Sequence, residues 1–384
     1  MEKNFYGSYC NLLKTIIICI PWFHPAYKAG GPIQSIANMV EQFHEKISYK
    51  IFCSNTDLNG TVLSVPVNNW VKYNENTQVW YTSKNKRSIT LLKKEIKNSN
   101  ADILFINGIY SWYFNLVPLL LCKIPRKIVS ARGMLHPGAL SQKHFKKKVY
   151  LTLWKMLGLH KRCDFHASNE EEKNYIQNIF GKKVKIFVAP NFPRIIKQQT
   201  SSEKLSGYLQ LISIALISPM KNHLLILEAL MKCDSDIYYN IYGPVKDKEY
   251  WNICVEQIKR LPANITVNYN GDIPPNEVEY ALAKSHVFIL PSKSENFGHA
   301  IYEALTAGKP VITSNNTPWN NLKASKAGIN IEQNNPDELV NAINYFASMD
   351  QNEFEQWSNG ANKYAANSIN VDDIKQQYHK MFFA

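Results

Sequence analysis

Short apolar runs alternate with amphipathic stretches along the chain. In the first 200 residues the runs are TIIICIP (15–21), KIFCSN (50–55), DILFING (102–108), KIVSARG (127–133) and VKIFVAPN (184–191). Short runs that are apolar at consecutive positions suit parallel strands covered on both faces. Between the first two lies GGPIQSIANMVEQF (30–43), which puts Ile33, Ile36, Ala37, Val40 and Phe43 at helical spacing, with Pro32 in a first turn. Ser168 with Glu171 reads as a capping box that opens another helix. A polar, aperiodic stretch over about 192–207 predicts a linker.

The alternation then resumes. The runs LISIAL (211–216), IYYNIYG (237–243), ITVNYNG (265–271), HVFIL (286–290), PVIT (310–313) and GINIE (328–332) are separated by helical patterns, among them one from Asn222, one over 247–260 and one from about 299. This order predicts an α/β protein of two Rossmann-like, doubly wound parallel-sheet domains. The predicted domains are 1–195 and 205–365, with a C-terminal helix at 366–384 packing back on the first. Ligands of open parallel sheets bind beyond the carboxyl ends of the strands. Two such sheets facing each other are expected to leave a cleft lined by loops from both.

Composition narrows the class. The chain has 384 residues, 45% hydrophobic and 20% charged, which is ordinary for a globular protein. No apolar run approaches the ~20 residues that span a bilayer. TIIICIP reads as a buried strand and not as a secretory leader. The seven cysteines are scattered, with no Cys-x-x-Cys, which points to reduced thiols in a cytoplasmic protein. The net charge of +13 is uneven: residues 1–200 hold 29 Lys and Arg against 11 Asp and Glu. A basic half calls for an anionic partner. No nucleic-acid-binding motif accompanies it, so nucleic acid is not expected. In the stretch near 141–157, Phe145, Val149, Leu153, Trp154 and Leu157 form an apolar face beside Lys143, Lys146, Lys147 and Lys148. Such a helix fits an anionic membrane surface. The same pattern fits a core-packing helix with a solvated basic face.

The chemistry concentrates in PSKSENFGHAIYEALTAGKP (291–310). A strand leads in, and a polar turn with Gly298 opens a helix. Backbone N–H groups at a helix start bind anions and hydroxyl oxygens. Glu295 in the turn and Glu303 in the helix are acceptors for sugar hydroxyls. Gly30 and Gly31 precede a helix in AYKAGGPIQS, as a phosphate-cradling turn does. Lys221 follows a strand in ALISPMKNH and suits a diphosphate. Arg132 ends a strand. Asp234-Ser235-Asp236 matches an Asp-x-Asp metal motif but falls before a strand, at the wrong end of a parallel sheet. The ten histidines show no metal-ligand spacing.

These motifs resemble the family 4 retaining glycosyltransferases, which have the GT-B fold. SENFGHAIYEAL is similar to that family's Glu-x7-Glu signature, AGGPIQS to its N-terminal Gly-Gly loop, and VAPNFP to its strand ending in Pro-Asn. ARGMLHPGALSQKHFKKK, YGPVKDKEYW and NTPWNNL resemble members that build bacterial surface polysaccharides. The resemblance implies roles. Glu295 faces the reacting carbon of the donor sugar, with Arg132 as the second catalytic candidate. Asn296, Phe297, Gly298 and His299 hold sugar hydroxyls and phosphate. Glu303 holds the ribose, and Gly30, Gly31 and Lys221 lie at the diphosphate. Two positions depart from the family: Leu216 stands where Arg is usual, five residues before Lys221, and Arg132 stands where many members have His.

The implied reaction moves a hexose-type sugar from a nucleoside-diphosphate donor, with retention, to a lipid-linked saccharide at the inner face of the plasma membrane. No metal or other cofactor is implied, because protein cations and helix N-termini serve the leaving diphosphate. An epimerase of the same fold and a non-catalytic transferase-like partner are the alternatives.

Overall fold

All of the apolar runs are strands in the structure, a computed structural model that describes residues 13–141, 144–197, 203–332 and 335–384. The chain divides into two compact units. The first holds the residues up to Pro25, Ile36–Ala189 and Gln377–Ala384, and the second holds Ala26–Ser35 and Pro190–Gln376.

The first unit is an eight-stranded sheet of β1 (Lys14–Cys19), β2 (Ile47–Ser54), β3 (Trp70–Asn74), β4 (Thr77–Thr82), β5 (Ile103–Asn107), β6 (Arg126–Ser130), β7 (Asp164–Ala167) and β8 (Ile186–Val188). The spatial order is β3-β4-β2-β1-β5-β6-β7-β8. The pairs from β4 to β8 are parallel, while β3 runs antiparallel to β4 at one edge. Three strands escape the apolar pattern. β3 is half-exposed throughout, as an edge strand can be. β4 is masked by its polar residues Thr77, Gln78 and Thr82. β7 is the four residues Asp-Phe-His-Ala. Its His166 is fully buried because both ring nitrogens are satisfied: Nδ1 lies 2.8 Å from Ser130 Oγ and Nε2 lies 2.8 Å from Ala189 O.

The capping box lies one residue later than expected. Asn169, not Ser168, caps the helix Glu170–Phe180, and its side chain accepts from the Glu172 amide. Glu172, not Glu171, reaches back, accepting from the Ser168 amide and hydroxyl and from the Gly133 amide. Glu171 is exposed and pairs with Tyr175.

The basic stretch forms helices Pro137–Ser141 and His144–Met156; Lys143 lies outside the described residues. Its expected apolar face splits in two. Trp154 joins Leu151 in the core. Phe145, Val149 and Leu153 are exposed along the helix, with Met156 and Leu157 at its end, and Phe145 and Met156 each keep 77% of their surface. Lys146, Lys148 and Lys155 are exposed as well. Lys147 instead turns back to the Ala139 carbonyl and the Tyr110 ring.

The second unit is a six-stranded parallel sheet of β9 (Tyr208–Ile214), β10 (Asp236–Tyr242), β11 (Ile265–Tyr269), β12 (Val287–Leu290), β13 (Val311–Ser314) and β14 (Gly328–Ile331), in the order β11-β10-β9-β12-β13-β14. The central strands β12 and β13 are buried on both faces, which explains their unbroken apolar runs, whereas β10 alternates buried with exposed residues and β11 ends exposed at the edge. Leu209, Leu211, Val287 and Ile289 join one core with the helices His223–Leu230 and Pro336–Ser348. Ile212, Phe288 and Leu290 join another with helices His299–Thr306 and Gln351–Ser368. The strand order reverses between β9 and β12, so the loops that leave those two strands diverge and open a crevice at their carboxyl ends. The Asp-Ser-Asp motif ends in Asp236, the first residue of β10, at the opposite end of the sheet.

The predicted linker is anchored at several of its described residues; 198–202 lie outside them. Phe192 and Ile196 are buried, and Lys204, 1% exposed, donates to the neighbouring Leu205 carbonyl and to those of Ala347 and Met349 at the end of the Pro336–Ser348 helix. A cation suits that end of a helix dipole.

Candidate functional site

The switch-point crevice of the second unit collects Glu295, Asn296, Phe297, Gly298, His299, Glu303, Lys221, Gly30 and Gly31. Two loops supply the charged centre. β9 runs into the loop 215–222, and Ala215 is gripped from β10: its amide donates to the Tyr242 carbonyl, and a Cβ on Gly243 would lie 1.8 Å from the Ala215 carbonyl oxygen. Only glycine allows that approach, at a φ of +137°. β12 runs into the loop 291–298. The Lys293 amide donates to the Met220 carbonyl (2.9 Å), which ties the two loops together.

Lys221 Nζ then lies 2.5 Å from Glu295 Oε1, and Ser292 Oγ donates to the same oxygen at 2.7 Å. Both side chains are largely buried, at 20% and 11% exposure. Glu295 Oε2 has no partner among the described residues. The carboxylate is therefore held through one oxygen only.

The loop that carries Glu295 is braced by the one after β13. Ser314 Oγ donates to the Ser292 carbonyl at 2.5 Å, the Glu295 amide reaches the Asn316 carbonyl at 3.4 Å, and the Trp319 indole N–H donates to the Phe297 carbonyl at 2.6 Å. Trp319 also packs edge-on to the Phe297 ring. Gly298 adopts a φ of +77° at the start of helix His299–Thr306, and a Cβ there would lie 3.1 Å from Trp319 Nε1. No side-chain hydrogen bond caps that helix start.

The Gly-Gly turn belongs to the same unit. Gly30 adopts a φ of +67°, and Ser35 Oγ donates to the Gly31 carbonyl (2.8 Å) while lying 3.0 Å from His299 Nε2. Ser35 thus joins the turn to the first residue of the 299–306 helix. Lys28, just before the turn, pairs with Asp272.

Glu303 lies one turn deeper on that helix, with 7% of its surface exposed. Burial pushes its carboxyl up to about 7, against the pull of the Arg194 guanidinium. The sign follows from proton binding. Between the ordinary value of 4.5 and about 7 the folded chain holds a proton that the unfolded chain releases. Stability should therefore fall as pH rises through that window, by up to about 3 kcal/mol from this residue. Chemical denaturation at both ends of the window is expected to show that loss in the wild type and not in Glu303→Gln. Equal slopes would place the carboxyl in water.

His223, unsingled by the sequence, begins the helix after Lys221. It is fully buried, neither ring nitrogen has a partner among the described residues, and burial with the Lys221 charge pushes it down to about 3. It stays neutral and adds no charge beside Lys221. Leu216 is half-buried five residues before Lys221.

Arg132 lies in the first unit, at the carboxyl end of β6. Its φ of +52° is uncommon outside glycine. Its Nε donates to Asn107 Oδ1 at 2.8 Å. The buried Tyr378 phenol is pushed up by desolvation while Arg132 pulls it down. Arg132 is thus anchored within its own unit, among Asn107 and Tyr378.

Among the described residues no group of three or more His, Cys, Asp or Glu is placed to hold a metal ion. No described helix is long and apolar enough to cross a membrane.

The second unit is Rossmann-like, with a Lys221–Glu295 pair at its switch point and Glu303 on the helix that follows, and comparison with known proteins gives its class. Residues 195–364 match the family described as "Glycosyl transferases group 1". The match falls within the second unit, and the whole chain has the GT-B fold seen in solved glycosyltransferases. Over 284 residues the chain is 25% identical to the Escherichia coli UDP-Gal:alpha-D-GlcNAc-diphosphoundecaprenol alpha-1,3-galactosyltransferase, covering 68% of this chain and 70% of that protein. The solved structure of Anabaena HepE with UDP and glucose superposes with a TM-score of 0.70 at 16% identity, over 96% of this chain and 99% of that one. WaaG, a glycosyltransferase involved in lipopolysaccharide biosynthesis, gives 0.63 at 13% identity, over 96% and 99%.

Proposed function

We propose that this glycosyltransferase moves a hexose-type sugar from a nucleoside-diphosphate donor to a lipid-linked saccharide, with retention, in bacterial surface polysaccharide synthesis at the cytoplasmic face of the membrane. The observation that carries the proposal is the Lys221–Glu295 pair, set at the carboxyl ends of β9 and β12 beside an uncapped helix start. The donor diphosphate takes Lys221 from Glu295 and meets the backbone of Asn296–His299 and the Gly30-Gly31 turn. Glu295, still held by Ser292, is left facing the sugar. Charge that develops on the leaving diphosphate is met by Lys221 and the helix start, the kind of fixed stabilisation that works best in a water-poor site. Glu303 accepts from ribose. No metal is needed in this scheme. Uridine diphosphate sugars come first as donors, since the galactosyltransferase above uses one and HepE was solved with UDP.

The test is transfer from a panel of labelled nucleotide sugars to a prenyl-diphosphate-linked GlcNAc, with and without EDTA, and with the product anomer assigned by NMR. Transfer with the donor's anomeric configuration, unaffected by EDTA, is expected. Epimerised donor without acceptor would make the protein an epimerase. Loss with EDTA, restored by magnesium or manganese, would overturn the metal-free scheme, and no turnover of any donor would leave a non-catalytic partner.

The exposed stripe Phe145–Val149–Leu153–Met156, edged by Lys146 and Lys148, is the proposed membrane contact. Each basic residue near an anionic surface contributes about 1 kcal/mol. Replacing Lys143, Lys146 and Lys148 by Gln should therefore weaken binding to phosphatidylglycerol vesicles by about 10²-fold. Unchanged binding, or none in the wild type, would remove the membrane from the scheme.

A further inference from the structure

Arg87 is a partly buried guanidinium without a carboxylate. It ends the basic loop Lys84-Asn85-Lys86-Arg87, between β4 and helix Ile89–Asn98. Its Nη2 donates to Ser54 Oγ at 2.8 Å, at the carboxyl end of β2. Its guanidinium lies 5.1 Å and 5.6 Å from the ring centres of Phe114 and Tyr113, on the turn Trp112–Leu116 that follows β5. Among the described residues no Asp or Glu pairs with it, and its Nε is buried without a partner. Other polar atoms beside it are also unmet. Among the described residues, the fully buried Oγ1 of Thr82, which stands in register with Ser54, has no partner, and Asn55 Oδ1 has none either.

A partly desolvated cation with no counter-charge favours the arrival of an anion. Burial already lowers the guanidinium's hold on its proton. The surroundings are those of an oxyanion site. A planar fork of donors lies on an aromatic floor, with hydroxyls at one side. It stands beyond the carboxyl ends of β2, β4 and β5, around the reversal of strand order between β1 and β5. Helix Ile89–Asn98 starts two residues later, and Lys84 and Lys86 add charge.

We propose that Arg87, with Lys84 and Lys86, binds a diphosphate group in the first unit, and that the group is carried by the lipid-linked acceptor. The identity of the carrier rests on the transferase reading; the anion site does not.

The test uses the full chain saturated with UDP, so that the Lys221 site is occupied, and follows binding of farnesyl diphosphate, inorganic pyrophosphate and farnesol by calorimetry. Farnesyl diphosphate should bind, and Arg87→Gln should weaken it at least tenfold, with UDP affinity and melting temperature unchanged. Arg87→Lys should recover part of the loss. Tighter binding of farnesyl diphosphate than of pyrophosphate, with none of farnesol, supports the lipid source. Equal binding of the two diphosphates supports the anion site and overturns the lipid source. Unchanged affinity in Arg87→Gln, or no diphosphate binding, overturns the site. Parallel loss of binding and thermal stability in both variants makes Arg87 a packing residue and also overturns it. Failure of the wild type to bind UDP would instead tell against the transferase reading.

Discussion

Replacing Glu295 by Gln is expected to leave the fold intact and to lower turnover by at least about 10²-fold, the scale of removing one preorganised electrostatic group. The fold should survive because Gln keeps the shape and the Ser292 contact, and the loop is braced from Ser314, Asn316 and Trp319 rather than by the carboxylate. Chemistry should not survive, because the proposed role of Oε2 depends on its charge. UDP affinity adds a second readout. Glu295 occupies Lys221 in the unliganded chain and so competes with phosphate for it. Glu295→Gln should bind UDP at least as tightly as the wild type while turning over slowly. Near-normal turnover in the purified variant would remove Glu295 from the chemistry.

The mirror-image variant is Lys221→Ala. A hydrogen bond between charged partners contributes about 1.5–3 kcal/mol, so UDP binding should weaken by about 10- to 10²-fold. Turnover should fall with it, because the leaving diphosphate loses the cation proposed to meet it. Some stability should go too, since Glu295, 11% exposed in the intact pair, would keep only Ser292 as a side-chain partner among the described residues. The double variant is informative. If the ion pair sets the cost of UDP entry, Glu295→Gln should change UDP affinity in the wild-type background but not in the Lys221→Ala background. Additive effects would mean that the pair is not what UDP displaces. Unchanged UDP affinity in Lys221→Ala would move the diphosphate elsewhere.

Much of this site was legible from local pattern. Glu295, Gly298 and Glu303 are set by a strand, a turn and a helix within one stretch of twenty residues, and the strand-to-helix geometry follows from burial on both faces of β12. The brace was not legible as a brace. NTPWNNL stood out as a motif, but a tryptophan that donates to a carbonyl 22 residues earlier in the chain looks like any core aromatic in sequence. Ser292 is a small polar residue beside a strand, and its aim at Glu295 depends on the turn's dihedrals. Arg132 shows the reverse: the sequence places it at a strand end, while the structure adds its anchor, Asn107, at the end of the neighbouring strand. The capping box missed by one residue because Ser, Asn and three successive Glu offer two registers, and only Glu172 points inward to meet the Gly133 amide.

The sequence by itself determined the strands buried on both faces, because a continuous apolar run needs no partner to be recognised. It likewise determined the strand-to-helix turn with Glu295 and Glu303, and the uneven charge. It could not determine β3, β4 and β7, whose residues are polar or mixed and become strands only because neighbouring strands satisfy their backbone and, for His166, its ring. Nor could it divide the basic helix into a core side with Trp154 and an exposed stripe with Phe145, since spacing gives a face but not what covers it. Only the tertiary structure put Lys221 against Glu295 and left Arg87 without a counter-charge. Both depend on which strand ends meet across long stretches of sequence, and strand order is decided by packing and not by any local run of residues.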